Sequence, residues 1–406
     1  MTNAHQTSRL RPGRPDYAIL ATTLALVVIG LIFVYSASFA IALDAFDDAN
    51  YFLIRQMASA LIGLAVMFFL MRIDYRLLRL ASPALMLFAV LSLAAVLFVG
   101  NDAYGARRWI SMGPLPPFQP SEFAKLALII YIAAWLASRG RDVQSFALGF
   151  APFIFLVGVV AALILMEPDT GTASIVVMTT AALFFIAGAS LTHLFALVGI
   201  AAVTFGMLIL GGGYRSDRIF AFIRAEDDPA GVGFHTLQLL IALGSGGIEG
   251  LGLGVSRQKF FYIPGAHTDG VFAIIGEETG FIGAIVVIGL FAYLVYRGFR
   301  VAMNSRDDFG CYLAIGIVSW IAFQGLINVG GITRSIPLTG IPLPFVSYGG
   351  TSLVMLMAAI GILLNVSRYG KDRSFAERPQ AQRVAPKPTR RSNPTRQGES
   401  PARGPA

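Results

Sequence analysis

Ten stretches of this chain hold roughly 20 predominantly apolar residues in succession, about the length an α-helix needs to cross the hydrocarbon core of a bilayer. They run at approximately 17–43, 52–71, 78–99, 121–137, 146–166, 172–188, 191–210, 271–297, 311–329 and 349–367. The fourth and sixth are short, with the least defined edges. In lipid every backbone N–H and C=O must be satisfied within the structure, so segments of this kind fold as spanning helices. Composition agrees: only 13% of the 406 residues are charged and 56% are hydrophobic, whereas soluble domains carry about 25% charged residues. The expected fold is an all-α polytopic membrane protein of about ten transmembrane helices. Its one large extracytoplasmic loop is expected at about 211–270, between spans seven and eight. Nothing resembles a soluble catalytic domain or a nucleotide-binding loop.

The net charge of +8 reads as topology rather than as nucleic-acid binding. Arg72, Arg76 and Arg79 lie between spans two and three, Arg139 and Arg141 between four and five, and Arg297, Arg300 and Arg306 between eight and nine. All fall on one side, shared with both tails, and the excess of basic residues there marks it as cytoplasmic. Arg9, Arg11 and Arg14 precede the first span, with no small-residue cleavage site after it, so that span reads as a retained helix. The expected organisation is a cytoplasmic N-terminal tail at 1–16, a ten-span membrane domain at 17–369 and a disordered, basic, proline-rich cytoplasmic tail at 370–406. Cys311 is alone, so no intramolecular disulfide can form, and the histidines at 5, 193, 235 and 267 lack metal-ligand spacing.

The opposite face breaks the charge rule. The loop 100–120 holds Arg107 and Arg108, the segment 211–270 holds Arg215, Arg218, Arg224, Arg257 and Lys259, and the loop 330–348 holds Arg334. An anionic ligand at the outer surface would explain these cations. Pairing with Asp217, Glu226, Asp227 and Asp228 is the plain alternative. Three of the loops on this face are rich in glycine and proline: Trp109–Lys125, Glu167–Gly171 and Thr333–Ser352. Non-helical backbone at membrane depth is tolerated where protein or a water-filled cavity satisfies it, so these loops are expected to ring a cavity. Turn punctuation accounts for any one of them alone.

Ionisable groups at the membrane edge are costly and mark candidate sites. Glu122 and Lys125 stand three residues apart at the start of span four and can meet on one helix face, as a structural pair or as ligand contacts. Glu277 and Glu278 open span eight and point in different directions around a helix, so both need cations or water; Lys125, Lys259 and Arg334 are the candidate partners. Asp269, in the run His267-Thr268-Asp269-Gly270, has two readings. It can cap the following helix, or it can serve as a general base, since carboxylates at the edge of low-dielectric cavities tend toward raised pKa values.

At these residues the chain resembles the SEDS family (shape, elongation, division and sporulation proteins), which contains FtsW and RodA. The resemblance covers about residues 15 to 370 and rests on GARRWI, FQPSEFAK, EPDTGT, GLGLGVSRQKFFYIPGAHTDGVFAIIGEETG and PLTGIPLPFVSYGGTS, in that order. It implies a peptidoglycan glycosyltransferase polymerising lipid II at the outer face of the bacterial cytoplasmic membrane. The family's essential aspartate falls on Asp269, its loop arginine and tryptophan on Arg107 and Trp109, and its paired arginines on Arg215 and Arg218. Its QK dipeptide matches Gln258 and Lys259, and its EE pair Glu277 and Glu278. Asp169 and Ser347 lie in the EPDTG and PFVSYGG blocks and join Glu122, Lys125 and Arg334 as expected substrate-binding residues. The chain departs from the family in having Gly270 where an aromatic residue is common, and Gln238-Leu239 where a Gln-Ser pair is usual.

The resemblance also implies a class B penicillin-binding protein partner and other divisome or elongasome proteins. A divalent cation, Mg or Mn, is a candidate cofactor, with no organic cofactor expected. The wording of the SRQK block leans toward the FtsW branch, with RodA open. Two other functions stand beside polymerisation. A lipid II flippase predicts polar groups continuing through the midplane and internal repeats; no clear repeat is present, and the charges crowd toward one face. A scaffold activating the partner through helix contacts is compatible with either.

Overall fold

The computed structural model describes residues 13–103, 106–113, 115–212 and 214–370. The basic tail expected after residue 370, and most of the N-terminal tail, lie outside the described residues. The helices are α1 (Tyr17–Phe46), α2 (Tyr51–Arg72), α3 (Arg76–Val99), α4 (Pro120–Arg139), α5 (Ala151–Met166, entered through a π-turn at Phe146–Phe150), α6 (Thr170–Ile186), α7 (Leu191–Leu210), α8 (Tyr214–Ile223), α9 (Phe234–Ser245), α10 (Val271–Met303), α11 (Asp308–Ile332) and α12 (Gly350–Arg368). Among the described residues nine helices are long and apolar enough to cross a membrane. The tenth expected span is α6, whose 17 residues reach about 25 Å at 1.5 Å per residue.

Helix ends follow the local sequence. Asp16 caps α1 by accepting from Ala18 N and Ile19 N, Ser190 caps α7 through His193 N, Asp307 caps α11 through Gly310 N, and Pro120 starts α4, a position where its missing N–H costs nothing. The centre of the bundle is α4, α11 and α12, buried nearly all round; α7 lies at the rim with only Leu197 buried.

Polar stitches join the helices at the end away from the glycine-rich loops. Asp16 pairs with Arg297 at 2.5 Å. Asn365 accepts from Tyr75 N (3.0 Å) and donates to Met71 O (2.7 Å). The Tyr75 hydroxyl bonds Asp307; burial and that carboxylate push its pKa up.

The loop after α3 is not plain coil. It forms a three-stranded antiparallel sheet of β1 (Asn101–Ala103), β2 (Ala106–Met112) and β3 (Leu115–Phe118), in the order β1-β2-β3. Prolines in β3 are tolerated because β3 is an edge strand.

The largest departure from a regular bundle is inside α10. Gly280 has φ 67° and ψ −166°, splitting the helix. The freed backbone groups are taken up by the turn at 247–252: Leu251 N donates to Glu277 O (2.9 Å), Gly252 N to Glu278 O (3.0 Å), Phe281 N to Gly247 O (2.9 Å) and Ile282 N to Ile248 O (3.3 Å). The first piece of α10, Val271 to Thr279, is thus a short, deeply buried helix with Asp269 just before its start.

Candidate active site

Asp269 is half-buried, and the capping reading of it fails. Gly270 occupies the N-cap of α10 and no side chain caps that end. Instead Asp269 Oδ1 lies 3.1 Å from the Thr268 hydroxyl, which is also 2.9 Å from Gly265 O. Its backbone carbonyl is held by Asn328 Nδ2 at 2.9 Å, and the same amide nitrogen donates to Ile341 O at 2.8 Å. Asn328, buried on α11, therefore ties the HTD turn to the PLTGIPLP loop, a role that no local motif signals.

On that loop Gly340 has φ 74°; a Cβ there would stand 3.2 and 3.3 Å from the two terminal nitrogens of Arg218 and 3.6 Å from Asp269 Oδ2. The loop's glycine thus leaves room for a carboxylate and a guanidinium to converge. Arg218, on α8, donates to Leu338 O at 2.6 Å. Burial lowers its pKa, Asp269 and Asp169 opposing the shift and Arg108 adding to it.

Two histidines border the pair. Burial lowers the pKa of both, with Asp269 opposing, and His267 falls to about 4. Both therefore stand as neutral imidazoles near pH 7. His267 packs against Phe52 and Tyr348, with ring centroids 4.5 and 5.5 Å away.

The EPDTG turn lies beside this centre. Arg108 Nε donates to Glu167 O at 2.9 Å and its Nη2 to Pro168 O at 2.5 Å. Alternation along β2 puts Arg107 on the other face, exposed. The arginine that reaches the turn is therefore Arg108, while Arg107, the expected substrate contact, is left exposed. Asp169 is occupied as the N-cap of α6, accepting from Thr172 N (2.9 Å) and Thr172 Oγ1 (2.8 Å). Glu167, 1% exposed, has no hydrogen-bond partner at either carboxylate oxygen. Burial, then Asp169, raises its pKa to about 8, Arg108 opposing, so it carries its proton at neutral pH.

Several other expected ligands are committed to each other. Lys259 Nζ bonds Glu278 Oε1 (3.1 Å), Ser36 Oγ (3.2 Å) and Gly254 O (2.6 Å), and Ser36 Oγ donates to the same Glu278 oxygen at 2.6 Å. Glu277 accepts from Ser256 Oγ, from Arg257 N (2.9 Å) and from Gln258 N (3.4 Å). Lys259, Glu277 and Glu278 are all buried; the Lys259–Glu278 pair is one of the expected pairings, and together the three residues lock the loop 254–259 onto the broken helix. Gln258 belongs to the same turn.

Lys125 bonds Glu122 (2.7 Å) and Gln324 (3.1 Å) and lies 4.9 Å from the centre of the Trp320 ring, one wall of a small cavity also lined by Thr179 and Thr180. Arg334 caps the end of α8, bonding Phe222 O at 3.0 Å and pairing with Glu226. Ser347 Oγ accepts from Leu343 N at 2.8 Å and folds its own loop. Trp109 stands on β2, half-buried. Arg215 lies on α8, its side chain outside the described residues. Among the described residues no three His, Cys, Asp or Glu side chains group to hold a metal ion.

Fold and site together define a polytopic, all-α membrane protein that gathers a carboxylate, a half-buried guanidinium and neutral imidazoles at one end of its bundle. The chain belongs to the family of FtsW, RodA and SpoVE, whose model, described as "Cell cycle protein", matches residues 17–372. Stage V sporulation protein E of Bacillus subtilis is 44% identical over 360 residues, covering 88% of this chain and 98% of that protein. A probable peptidoglycan glycosyltransferase FtsW of Geobacter metallireducens is 41% identical over 356 residues, covering 87% and 95%. Among solved structures, a chain from a peptidoglycan synthase complex matches with TM-score 0.72 at 29% identity, covering 87% of this chain and 98% of that one. The rod shape determining protein RodA of Thermus thermophilus matches with TM-score 0.65 at 29% identity, covering 88% and 98%.

Proposed function

We propose that this protein is a peptidoglycan glycosyltransferase that polymerises lipid II at the outer face of the bacterial cytoplasmic membrane, both its termini cytoplasmic. The observation that carries the reading is the convergence of Asp269 and Arg218 across Gly340. Lipid II brings a pyrophosphate at headgroup height and a polyprenyl tail in the bilayer, so its enzyme needs an acceptor for a proton and a cation for the leaving group at that height.

In the proposed step Asp269 takes the proton of the acceptor sugar's 4-hydroxyl. That oxygen attacks the anomeric carbon of the donor, and the bond from this carbon to the pyrophosphate oxygen breaks. Undecaprenyl pyrophosphate departs with the bonding pair, its charge met by Arg218. A single displacement inverts the anomeric centre. Thr268 holds the Asp269 carboxylate and Asn328 its backbone carbonyl before substrate arrives, which removes that ordering from the barrier. A divalent cation, Mg or Mn, would help Arg218 to neutralise the leaving pyrophosphate; no step here is routed through one.

Transport predicts charge through the midplane. Here Lys125 sits on the sixth residue of α4, about 9 Å from its start, and its charge is neutralised in place. The expected partner is a class B penicillin-binding protein with a single membrane helix, acting with division or elongation proteins. The test supplies labelled lipid II and Mg to the purified protein with and without such a partner: glycan strands support polymerisation, whereas lipid scrambling with no polymer would replace it with transport.

A further inference from the structure

The segment between α9 and the HTD turn carries its polar and apolar side chains the opposite way round from a water-facing loop. Ser256 and Lys259 turn inward and are buried. Ile248, Leu253 and Phe261 turn outward, 69%, 66% and 58% exposed, with Val255, Phe260 and Tyr262 exposed beside them. Single exposed apolar residues are ordinary; a run of large ones on one loop marks an interaction surface.

The unbroken helix α1 gives the height of this loop. Ser36 of α1 bonds Glu278, and Asp16 at the foot of α1 bonds Arg297. From Asp16 to Ser36 is 36 − 16 = 20 residues along the unbroken α1, about 30 Å at 1.5 Å per residue; the regular piece of α10 after the Gly280 break, from Phe281 to Arg297, rises over 297 − 281 = 16 residues, about 24 Å. The hydrocarbon core of a bilayer is about 30 Å thick. The Asp16–Arg297 pair and the Glu278 network therefore sit one core thickness apart, and the turn hydrogen-bonded to residues 277–282 lies at the boundary between acyl chains and headgroups. Its backbone meets the demand of that depth, because four of its groups pair with the helix break. Glu249 and Arg257, both exposed, are placed to reach headgroups while the apolar chains dip.

We propose that residues 246–262 are a lipid-seated turn, with Ile248, Leu253, Val255 and Phe261 inserted among the phospholipid acyl chains of the leaflet on the site side. The turn fixes the position of the active centre: through the loop 254–259 it is bonded to Glu277 and Glu278, and Asp269 stands just beyond the other end of the short helix, whose stretch from Val271 to Glu278 is about 10 Å long. The surface is independent of the chemistry assigned to Asp269.

Site-directed spin labelling of the full chain in phospholipid liposomes tests it, with Cys311→Ser as background and single cysteines at Leu253, Val255 and Phe261. Asp227, exposed in the same outer segment, is the water-facing control. Labels at the three apolar sites are expected to be reached by oxygen and shielded several-fold from a water-soluble nickel chelate, the reverse of Asp227. Dibrominated lipids should likewise quench a Leu253→Trp variant. Chelate access equal to that at Asp227 at all three sites would overturn the proposal. Shielding that develops only when a penicillin-binding protein is added would also overturn it, in favour of a protein partner.

Discussion

At the residue scale, the burial of each charge matters more than its identity. Glu122 and Lys125 are both about 3% exposed and paired. Removing one partner leaves the other buried and uncompensated, at a cost of about 3–5 kcal/mol. Glu122→Ala is therefore expected to lower the thermal midpoint in detergent or lipid sharply, with Glu122→Ala/Lys125→Met recovering part of the loss.

Gly340→Ala meets two penalties, a positive φ costing about 1–2 kcal/mol and a methyl within 3.3 Å of the Arg218 guanidinium. It is expected to reduce polymerisation about tenfold or more while the protein still purifies as a monodisperse species; unchanged turnover would contradict the convergence at that glycine.

Titration gives two opposite signs. Glu167 has its folded pKa raised to about 8, so its contribution is present below its unfolded value near 4.3 and is lost as pH rises through about 8. His267, lowered to about 4, contributes above its unfolded value near 6.5 and loses it as pH falls toward 4. Glu167→Gln should flatten the decline in melting temperature between pH 5 and 8, and His267→Gln the decline below pH 6.5.

At the scale of elements, what the chain discloses depends on whether the signal is local. Helix positions could be read because apolar run length sets them, and the HTD turn because an acid beside a glycine at the mouth of an apolar run is conspicuous. Partners could be read only as sets of candidates: Lys259 is one of three cations open to Glu277 and Glu278, and it takes Glu278 together with Ser36 because α1 and the broken α10 pack together; Glu226 is one of four acids open to the outer cations, and it takes Arg334 at the end of α8. That Arg108 turns to the EPDTG turn while Arg107 stays exposed could not be read, because it depends on strand alternation in β2. α8 and α9 were hidden within a segment too polar or too short to give a spanning signal.

The helix break is equally invisible in composition, although Gly280 is essential to it: its φ of 67° and the backbone of Gly250 and Ile248 against its α-carbon leave no room for a Cβ. Gly280→Ala is expected to destabilise the fold more than the same change at Gly289, where a Cβ meets open space. Comparing the two melting temperatures checks the break directly.

At the scale of the whole molecule, the expected all-α polytopic fold is the one observed, and membership of the FtsW, RodA and SpoVE family follows over residues 17–372. The bundle is asymmetric in a way that suits surface chemistry. One end is stitched shut by Asp16–Arg297 and by Tyr75, Asn365 and Asp307. The other end spreads four loops around Asp269 and carries the exposed apolar turn. An enzyme that joins headgroups while their tails stay in lipid requires that arrangement, with reacting groups held above the core and a firm floor beneath them.

The central claim is that the Asp269 carboxylate removes the acceptor proton. The most direct measurement is the single-turnover rate of glycan bond formation from labelled lipid II by the partner-bound protein, wild type against Asp269→Asn, with melting temperature and lipid II binding measured on both. The account predicts that the asparagine variant folds and binds lipid II as wild type does but forms bonds at least 100-fold more slowly, the lower bound of about 10²–10⁴ for positioned acid–base groups. Bond formation by Asp269→Asn at the wild-type rate would contradict it.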